Sequence, residues 1–303
     1  MDQHLIVFKA VADKRSFSQA AKALHISQPA ISLQIQSLEE QLGTRLFDRN
    51  NKRVILTQAG KTFYKYATQI MELYDQAQKD ISELTGMVKG KIEVGASLTI
   101  GEYILPRIAG NFLREHAQVN LSINIKNTEE IVQKILSTGL DIGLVEGHVE
   151  HSDLIIEKFM EDELVVIVPY DHPWAKKDYI SASSLLSQPF IHREEGSGTR
   201  QVMEDTLMEH AINPEDLQVS MELGSTQAVK EAVEAGLGIS IISKWAIKKD
   251  LKLKTLGMTR VKDCIFNRDF YVVYNKHHFK TQAMETFLNY LQIEDLHQII
   301  EGE

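Results

Sequence analysis

A short helix that stops and restarts within a few residues is the feature that most constrains how this chain can fold. Residues 19–24 are predicted to form a brief helix that breaks at His25, and Ser27 is a good N-cap for a new one. Pro29 falls in the first turn of the new helix, where its missing N–H breaks no hydrogen bond. Gly43 is expected to end that helix. Two short helices joined by a tight turn make a helix-turn-helix.

A β-hairpin is predicted directly after this motif. Two short apolar runs, residues 46–47 and 54–56, flank a polar and basic turn. The turn carries Arg49, Lys52 and Arg53, which could hold phosphates or enter a minor groove. A basic hairpin beside a helix-turn-helix is a wing.

The helix that begins near Ser27 presents short polar side chains on its first turns. Gln28, Pro29 and Ser32 follow the cap, and such groups can reach base edges in the major groove of DNA. Gln28 could pair with adenine. Taken alone, Gln28 or Ser32 would fit an ordinary solvated helix face. The ordered block of helices and wing is what favours DNA binding.

The charge distribution agrees with a DNA-binding N-terminus. Residues 1–65 contain ten Lys and Arg against five Asp and Glu, although the whole chain of 303 residues has a formal net charge of −9. The acidic excess therefore lies entirely in the remaining residues. A basic head on an acidic body suits a chain in which only the head touches phosphate.

A long amphipathic helix is predicted from Gln58 to about Val88. It would span about 45 Å, which is too long and too polar outside one stripe for a buried core helix. The stripe repeats at spacings of three and four, close to a heptad, and a second chain would cover it. The alternative is a helix that lies on its own domain. The apolar positions are Phe63, Tyr66, Ile70, Leu73, Ala77, Ile81, Leu84 and Val88.

The rest of the chain alternates strand and helix patterns. Predicted strands at residues 91–96, 121–125 and 140–145 are separated by helices, which indicates a parallel, doubly wound α/β sheet. The pattern restarts near Leu164 and returns near Phe270. The predicted fold is therefore mixed, with two α/β lobes at the C-terminus. The predicted domains are 1–58 (winged helix-turn-helix), 59–89 (linker helix) and 90–303, with lobe I at about 91–161 and 268–303 and lobe II at about 162–267.

Hydroxyl side chains recur where predicted strands end and predicted helices begin. Ligands of α/β lobes bind at such places, and helix N-termini favour anions. The pattern points to a small anion or carboxylate. Each hydroxyl could instead be a plain N-cap. The predicted ligand-binding residues are Ser97, Leu98, Thr99, Thr128, Ser197, Thr199 and Thr226.

The N-terminal block resembles the signature of LysR-type bacterial transcription regulators almost throughout its first 60 residues. The resemblance implies that Gln28, Pro29 and Ser32 face bases and that the wing arginines face the DNA backbone. Gln36 stands where many members carry a basic residue and completes the expected DNA-binding set with Ser27. The matching run includes Ser16-Phe17-Ser18-Gln19-Ala20-Ala21, Leu24 to Ser32, Ile35, Leu38-Glu39, Leu42-Gly43, Leu46-Phe47-Asp48-Arg49, Leu56-Thr57 and Gly60.

Residues 91–300 resemble the periplasmic-binding-protein fold of the sensor domains in that family. This implies a small-molecule effector between the lobes, double-stranded DNA as a partner, a homodimer or homotetramer, and RNA polymerase as a further partner. Residues 100–106 and the glycine-rich turn 194–200 resemble the subgroup linked to sulfur, nitrogen or carbon assimilation. The effector, the operator and the sign of regulation stay open.

Other functions are weighed against this prediction. The sequence shows no signal peptide, no apolar run long enough for a membrane span and a single cysteine, Cys264, which together favour the cytoplasm. A transport-type solute-binding protein is disfavoured by the missing signal and the DNA-binding head. An enzyme with an appended helix-turn-helix would need a catalytic constellation that the sequence lacks. We expect no cofactor and no metal, since the pairs His148/His151 and His277/His278 have no strong third ligand.

Overall fold

The computed structural model describes residues 3–24, 26–48, 54–85, 87–137, 139–262, 264–276, 280–293 and 296–301. The chain divides into two compact units, Met1–Gly86 and Met87–Glu303. We refer to them as the N-terminal unit and the regulatory unit.

The N-terminal unit contains the predicted helix-turn-helix, a two-stranded hairpin and a long helix. Its elements are α1 (Gln3–Lys14), α2 (Phe17–Leu24), α3 (Gln28–Leu42), β1 (Phe47–Asp48), β2 (Ile55–Leu56) and α4 (Gln58–Thr85). β1 and β2 pair antiparallel, so the predicted hairpin is confirmed. The helix predicted to reach Val88 ends at Thr85 instead, and Val88 packs against the core of the regulatory unit.

Local chemistry explains why α3 begins and ends where it does. The Ser27 hydroxyl caps the helix by accepting a hydrogen bond from the Ala30 N–H at 3.3 Å, and Gly43 ends it with a φ of +65°. Ile31, Ile35 and Leu38 are buried in the core of the unit. Leu42, in the last turn of α3, is 45% exposed, because the buried face ends one turn earlier at Leu38.

A close backbone approach fixes the start of α4. The Thr57 hydroxyl caps it by accepting from the Gly60 N–H at 3.0 Å and donates to the Arg45 carbonyl at 2.7 Å. A Cβ at Gly60 would collide with the Leu46 carbonyl oxygen. Only glycine therefore lets α4 pack this closely on the segment before β1.

The regulatory unit is an α/β structure built on one large twisted sheet and one small one. Its elements are β3 (Lys89–Ala96), a π-helical turn (Ile100–Ile104), α5 (Leu105–Glu115), β4 (Gln118–Ile125), α6 (Thr128–Leu136), β5 (Ile142–Glu146), β6 (Leu154–Pro169), β7 (Tyr179–Ile180), β8 (Pro189–Arg193), α7 (Gly198–Glu209), β9 (Gln218–Leu223), α8 (Thr226–Glu234), β10 (Ser240–Ser243), α9 (Lys248–Leu253), β11 (Leu256–Val261), β12 (Phe266–Asn275), α10 (Gln282–Tyr290) and α11 (Leu296–Glu301).

The sheets form two lobes that share two long strands. The large sheet has the order β4-β3-β5-β12-β6-β11-β7, with β10 also paired to β6, and β8 pairs with β9 in the small sheet. β3 runs parallel to β4 and β5, and β8 runs parallel to β9, as the alternating pattern predicted. β6 and β12 pair antiparallel along their length. We call β3–β5, α5, α6, α10 and α11 lobe I, and β7–β11 with α7–α9 lobe II.

The long strand β6 was only partly predicted. The alternating pattern restarts near Leu164, whereas β6 begins at Leu154. The strand carries charged residues at positions 157, 158, 161, 162 and 163, and this stretch lacks a regular two-residue alternation. Because β6 passes from one lobe to the other, its buried face changes along the strand, which removes the periodic signal.

The chain returns to lobe I to complete its core. Phe112 of α5, Phe270 of β12 and Phe287 of α10 are fully buried in one cluster with Ile300 of α11. Phe112 and Phe287 meet edge to face, with ring centroids 5.0 Å apart. The core of this lobe therefore needs residues from both ends of the regulatory unit.

Candidate functional site

One face of α3 is free of core contacts and collects the polar residues predicted to bind DNA. At about 100° per residue, Gln28, Pro29, Ser32 and Gln36 fall within a single arc that adjoins the buried face formed by Ile31, Ile35 and Leu38. The only bonds that the structure gives these polar side chains run along the helix. Gln28 Nε2 donates to Ser32 Oγ at 3.3 Å, and Gln36 Nε2 donates to Glu40 Oε1 at 2.9 Å.

The same arc contains an apolar residue that the sequence reasoning missed. Leu33 lies between Ser32 and Gln36 on this outer face and is 67% exposed. An exposed leucine on a polar helix face is the signal that could have revealed it, because apolar side chains contact the thymine methyl group in the major groove. Ser27, Gln28, Pro29, Ser32, Leu33 and Gln36 are called the outer face of α3 below.

The hairpin next to this face is fastened to α3 by one carboxylate. Glu39 Oε1 accepts from the backbone N–H groups of Leu46 at 2.7 Å and Phe47 at 3.1 Å. The predicted wing residues Arg49, Lys52 and Arg53 lie outside the described residues.

The apolar stripe of α4 is largely uncovered within its own unit. Tyr66, Ile70, Leu73 and Ile81 are between 47% and 70% exposed, although they repeat at nearly heptad spacing. Ala67, by contrast, is fully buried against the core of the N-terminal unit. Phe63, the first position of the predicted stripe, also packs on this core, whereas the four exposed positions after it face away. The alternative of a helix lying on its own domain does not explain these four exposed positions.

In the regulatory unit, the six predicted hydroxyl side chains are all buried. Their exposure is at most 6%, whereas Leu98 is half-buried. Ser197 does cap α7, since its hydroxyl accepts from the Arg200 N–H. The residue before Thr128 and the residue before Thr226, Asn127 and Ser225, cap α6 and α8.

The capping interpretation is therefore wrong for the threonines. Thr128 is the first residue of α6 and donates to the Glu146 carbonyl at 2.9 Å. Thr226 accepts from Arg193 Nη1 at 2.8 Å. Thr99 precedes the π-helical turn and makes no side-chain capping bond. The Thr128 hydroxyl thus bonds a backbone carbonyl, whereas the Thr226 and Thr99 hydroxyls accept from guanidinium groups, and Thr99 does so in the space between the lobes.

Arg268 lies at the centre of this space. It stands opposite Asp162 across the shared strands β12 and β6, and Arg268 Nε donates to Asp162 Oδ2 at 2.8 Å. Its Nη1 donates to Thr199 Oγ1 at 2.9 Å and its Nη2 to Thr99 Oγ1 at 3.3 Å. One guanidinium thus joins a hydroxyl of lobe I to a hydroxyl of lobe II.

Two carboxylates neutralise this buried cation. Asp162 also accepts from Ser243 Oγ at 2.9 Å, and burial raises the pKa of Asp162 despite the opposing effect of Arg268. Glu146, at the end of β5, is 3% exposed and accepts a hydrogen bond from the Ser97 hydroxyl. Its Oε1 lies 3.5 Å from Arg268 Nη1. The sequence reasoning missed Arg268, Asp162 and Glu146.

A second buried cation lies near Thr226. Arg193 forms a two-pronged pair with the neighbouring Glu194, at 2.7 and 2.9 Å, in addition to its bond to Thr226.

Glu102 belongs to the π-helical turn, where local widening of a helix often marks a functional site. Burial raises the pKa of Glu102, although Arg193 and Lys230 oppose that shift.

A cavity of about 470 Å³ adjoins the Arg268 network. Its walls come from both lobes, and it meets the network at Thr128 and at the start of α7. The volume suits a small metabolite. The lining residues are Thr128, Glu129, Val132, His148, Val149, Glu150, Glu195, Gly196, Ser197, Arg200, Gln201 and Glu204.

The part of the chain that the structure describes offers neither a metal-ion cluster nor a membrane-spanning helix. In the described ranges no cluster of three or more His, Cys, Asp or Glu side chains is arranged to hold a metal ion. The pair His277/His278 lies outside them. No helix that the structure describes is long and apolar enough to span a membrane.

Two family profiles match the chain along almost its whole length. The profile described as "Bacterial regulatory helix-turn-helix protein, lysR family" matches residues 3–61, and "LysR substrate binding domain" matches residues 85–294. The chain belongs to the LysR family. Members of this family are DNA-binding transcriptional regulators with an effector-binding domain and are not enzymes, so the chain is a sequence-specific regulator whose activity a small molecule modulates.

Curated relatives of this LysR regulator cover nearly the whole chain. It is 35% identical over 294 residues to a protein named "Probable RuBisCO transcriptional regulator" from Trieres chinensis, with 95% of each chain covered. It is also 35% identical over 288 residues to the "HTH-type transcriptional regulator CysL" of Bacillus subtilis, again with 95% of each covered.

Solved structures confirm the two-part fold. OxyR of Corynebacterium glutamicum, in an H2O2-bound form, covers 99% of this chain and 94% of its own at a TM-score of 0.64 and 23% identity. The CcmR regulatory domain of Synechocystis PCC6803, in complex with 2-PG, covers 67% of this chain and 96% of its own at a TM-score of 0.62 and 29% identity.

Proposed function

We propose that the outer face of α3 reads base edges in the major groove and that the wing holds the DNA backbone. The single observation that carries this proposal is the arc of exposed and half-buried residues that lies outside the buried face of α3. Ser27, Gln28, Pro29, Ser32 and Gln36 form the contact set, and Leu33 adds an apolar contact with thymine. Arg49, Lys52 and Arg53 of the wing contact phosphates.

We also propose that a small effector with an anionic group binds between the lobes. The observation that carries this proposal is the convergence of Ser97, Thr99, Thr199 and Arg268 from both lobes and the shared strands. Hydroxyl donors and a guanidinium are the groups that bind carboxylate or phosphate oxygens. The complex of CcmR with 2-PG supports this class of effector.

The other predicted residues would complete the walls of the site. Thr128 and Ser197 line the adjoining cavity, Leu98 follows Ser97, and Thr226 holds Arg193 in place. An effector bound to Thr99 of lobe I and Thr199 of lobe II would favour one arrangement of the lobes over another. Binding would then shift the population between two states with different DNA geometry.

The regulator acts as an oligomer, and we propose the exposed stripe of α4 as the dimer contact, with tetramers built from such dimers. A dimer would place two copies of α3 on two half-sites. The proposed partners are double-stranded DNA, the effector, a second copy of the chain and RNA polymerase. The proposed location of the protein is the cytoplasm. Residues 1–58, 59–89 and 90–303 are the proposed domains.

The effector proposal is tested by titration calorimetry of the full chain with a panel of small carboxylates, phosphates and 2-PG. Thr99→Val removes one hydroxyl from the proposed site while it keeps the side-chain volume. We expect it to weaken binding of any effective compound about tenfold, since a hydrogen bond to a charged group contributes roughly 1.5–3 kcal/mol. Basal DNA binding should not change.

A matched control is Thr62→Val, which removes an exposed hydroxyl from α4 that bonds only the Gln58 carbonyl in the structure. Unchanged effector affinity in Thr99→Val would exclude Thr99 from the site. Turnover of any compound in the panel would instead support the enzyme alternative.

A further inference from the structure

Glu146 occupies the place where an anionic effector would find its donors. Its carboxylate accepts from the Ser97 hydroxyl and lies 3.5 Å from Arg268 Nη1. Ser97 and Arg268 are two of the four groups in the proposed anion site. The remaining two, Thr99 and Thr199, bond the same guanidinium.

The surroundings of Glu146 leave little room for a second anion. A Cβ at Gly198, the first residue of α7, would collide with the Glu146 carbonyl oxygen and lie 2.8 Å from Glu146 Cγ. The N-terminus of α7 in lobe II therefore closes directly over this residue of lobe I. Thr128 holds the Glu146 backbone from the other side.

The charges argue in the same direction. Among the described residues, Arg268 is the one cation paired with Asp162 and Glu146, so two carboxyl groups already share one guanidinium. A further carboxylate or phosphate beside them would meet strong like-charge repulsion at low dielectric. An anion can enter only if Glu146 gives up its contacts.

We infer that Glu146 is a built-in substitute for the anionic group of the effector, which competes with it for Ser97 and Arg268. This inference rests on the proposed effector cleft and adds the group that sets its affinity. In the absence of effector, Glu146 keeps the buried guanidinium neutralised and the lobes in contact. An effector binds by displacing the Glu146 carboxylate. The affinity of the protein for the effector is lowered because Glu146 loses its contacts with Ser97 and Arg268 when the effector binds.

The first experiment removes the Glu146 carboxylate and supplies acetate as a free carboxylate. Glu146→Ala leaves Ser97 and Arg268 without their carboxylate, so its Tm should fall by several degrees. Acetate at tens of millimolar should restore much of that loss, compared with chloride at equal ionic strength. Glu150→Ala is the matched control, because the Glu150 side chain is 80% exposed at the rim of the cavity. Its Tm should not respond to acetate.

The second experiment keeps the shape and removes the charge. Glu146→Gln can still accept from Ser97 but no longer repels an anion. We expect 2-PG to bind the full-length Glu146→Gln protein with a Kd at least tenfold below that of the wild type, while Glu150→Gln stays within about twofold. Glu146→Gln also tests the inference if Glu146→Ala fails to fold.

The possible outcomes distinguish a failure of the Glu146 inference from a failure of the proposed effector site between the lobes. Equal or weaker binding of 2-PG by Glu146→Gln than by the wild type would overturn the competition and mean that Glu146 contacts the effector as an acceptor. If acetate rescues Glu146→Ala but 2-PG binds neither protein, the carboxylate position is supported and 2-PG is not the effector. If acetate also fails, both the inference and the anion site are overturned.

Discussion

The outer face of α3 and the cleft between the lobes are both proposed binding surfaces, yet they are built in opposite ways. The polar side chains on the outer face of α3 are exposed or half-buried, and Gln28, Ser32 and Gln36 bond only along their own helix. Those of the cleft are buried and bond across lobes and strands. Substitutions on an exposed surface such as the outer face of α3 can change binding specificity without disturbing the fold. In the cleft, every binding group also supports the structure, so ligand affinity and stability are coupled.

The largest expected effect tests that coupling. Arg268→Met leaves Asp162 and Glu146 buried without their cation, which should lower the free energy of unfolding of the regulatory unit by about 3–5 kcal/mol. Urea denaturation followed by circular dichroism would measure it. Arg260→Met is the matched control, because the Arg260–Glu163 pair is partly exposed and contributes about 1 kcal/mol or less. Equal losses in the two variants would show that the cleft network is no more costly to break than a surface pair.

Gln28→Ala tests the other side of the comparison. If Gln28 reads a base, binding to the operator should weaken by about 1–3 kcal/mol, while binding to random DNA changes little. The free energy of unfolding should stay within about 0.5 kcal/mol of the wild type. Fluorescence anisotropy with both DNAs at one salt concentration gives the answer. An equal loss on both DNAs would remove Gln28 from base recognition.

The smallest effect concerns pH. His192 of β8 is 4% exposed, and its Nδ1 has no hydrogen-bond partner in the part of the chain that the structure describes. Burial, and secondarily Arg200, lowers the pKa of His192, whereas Glu204 and Glu222 oppose this shift. The unfolded chain therefore takes up a proton at higher pH than the folded one. Stability should fall as the pH drops below about 6.5, by at most about 1.4 kcal/mol per pH unit.

A His192→Gln variant should lose less stability than the wild type between pH 7 and pH 5.5 in the same urea assay. The outer face of α3 contains no group that titrates in this range, so operator binding by folded protein should not follow the same curve. Parallel pH profiles for the wild type and His192→Gln would show that His192 does not cause the acid sensitivity.

The same contrast explains what could be predicted from sequence. The limits of α3 follow from Ser27, Pro29 and Gly43, which act within one or two turns of their own position. The threonines of the cleft were placed correctly at strand ends and helix starts, but Asn127 and Ser225 proved to be the caps. Arg268 and Asp162 are 106 residues apart in the chain and face each other only because β6 and β12 pair. Both have charged or polar neighbours in the chain, Glu161 and Glu163 beside Asp162 and Asn267 and Asp269 beside Arg268, so no local signal marks the pair.

The return of the chain to lobe I also sets an order for its biosynthesis. The N-terminal unit ends at Gly86, whereas the lobe I core needs Phe287 and Ile300, more than 200 residues later. At roughly 5–20 residues per second, the ribosome would complete the DNA-binding head some ten seconds or more before the sensor can close its core. During that interval a nascent chain has a head able to fold and no folded partner to restrain it. Chaperones that bind nascent chains would therefore encounter lobe I while the core residues Ile92 and Val94 of β3 still lack the C-terminal helices that cover them.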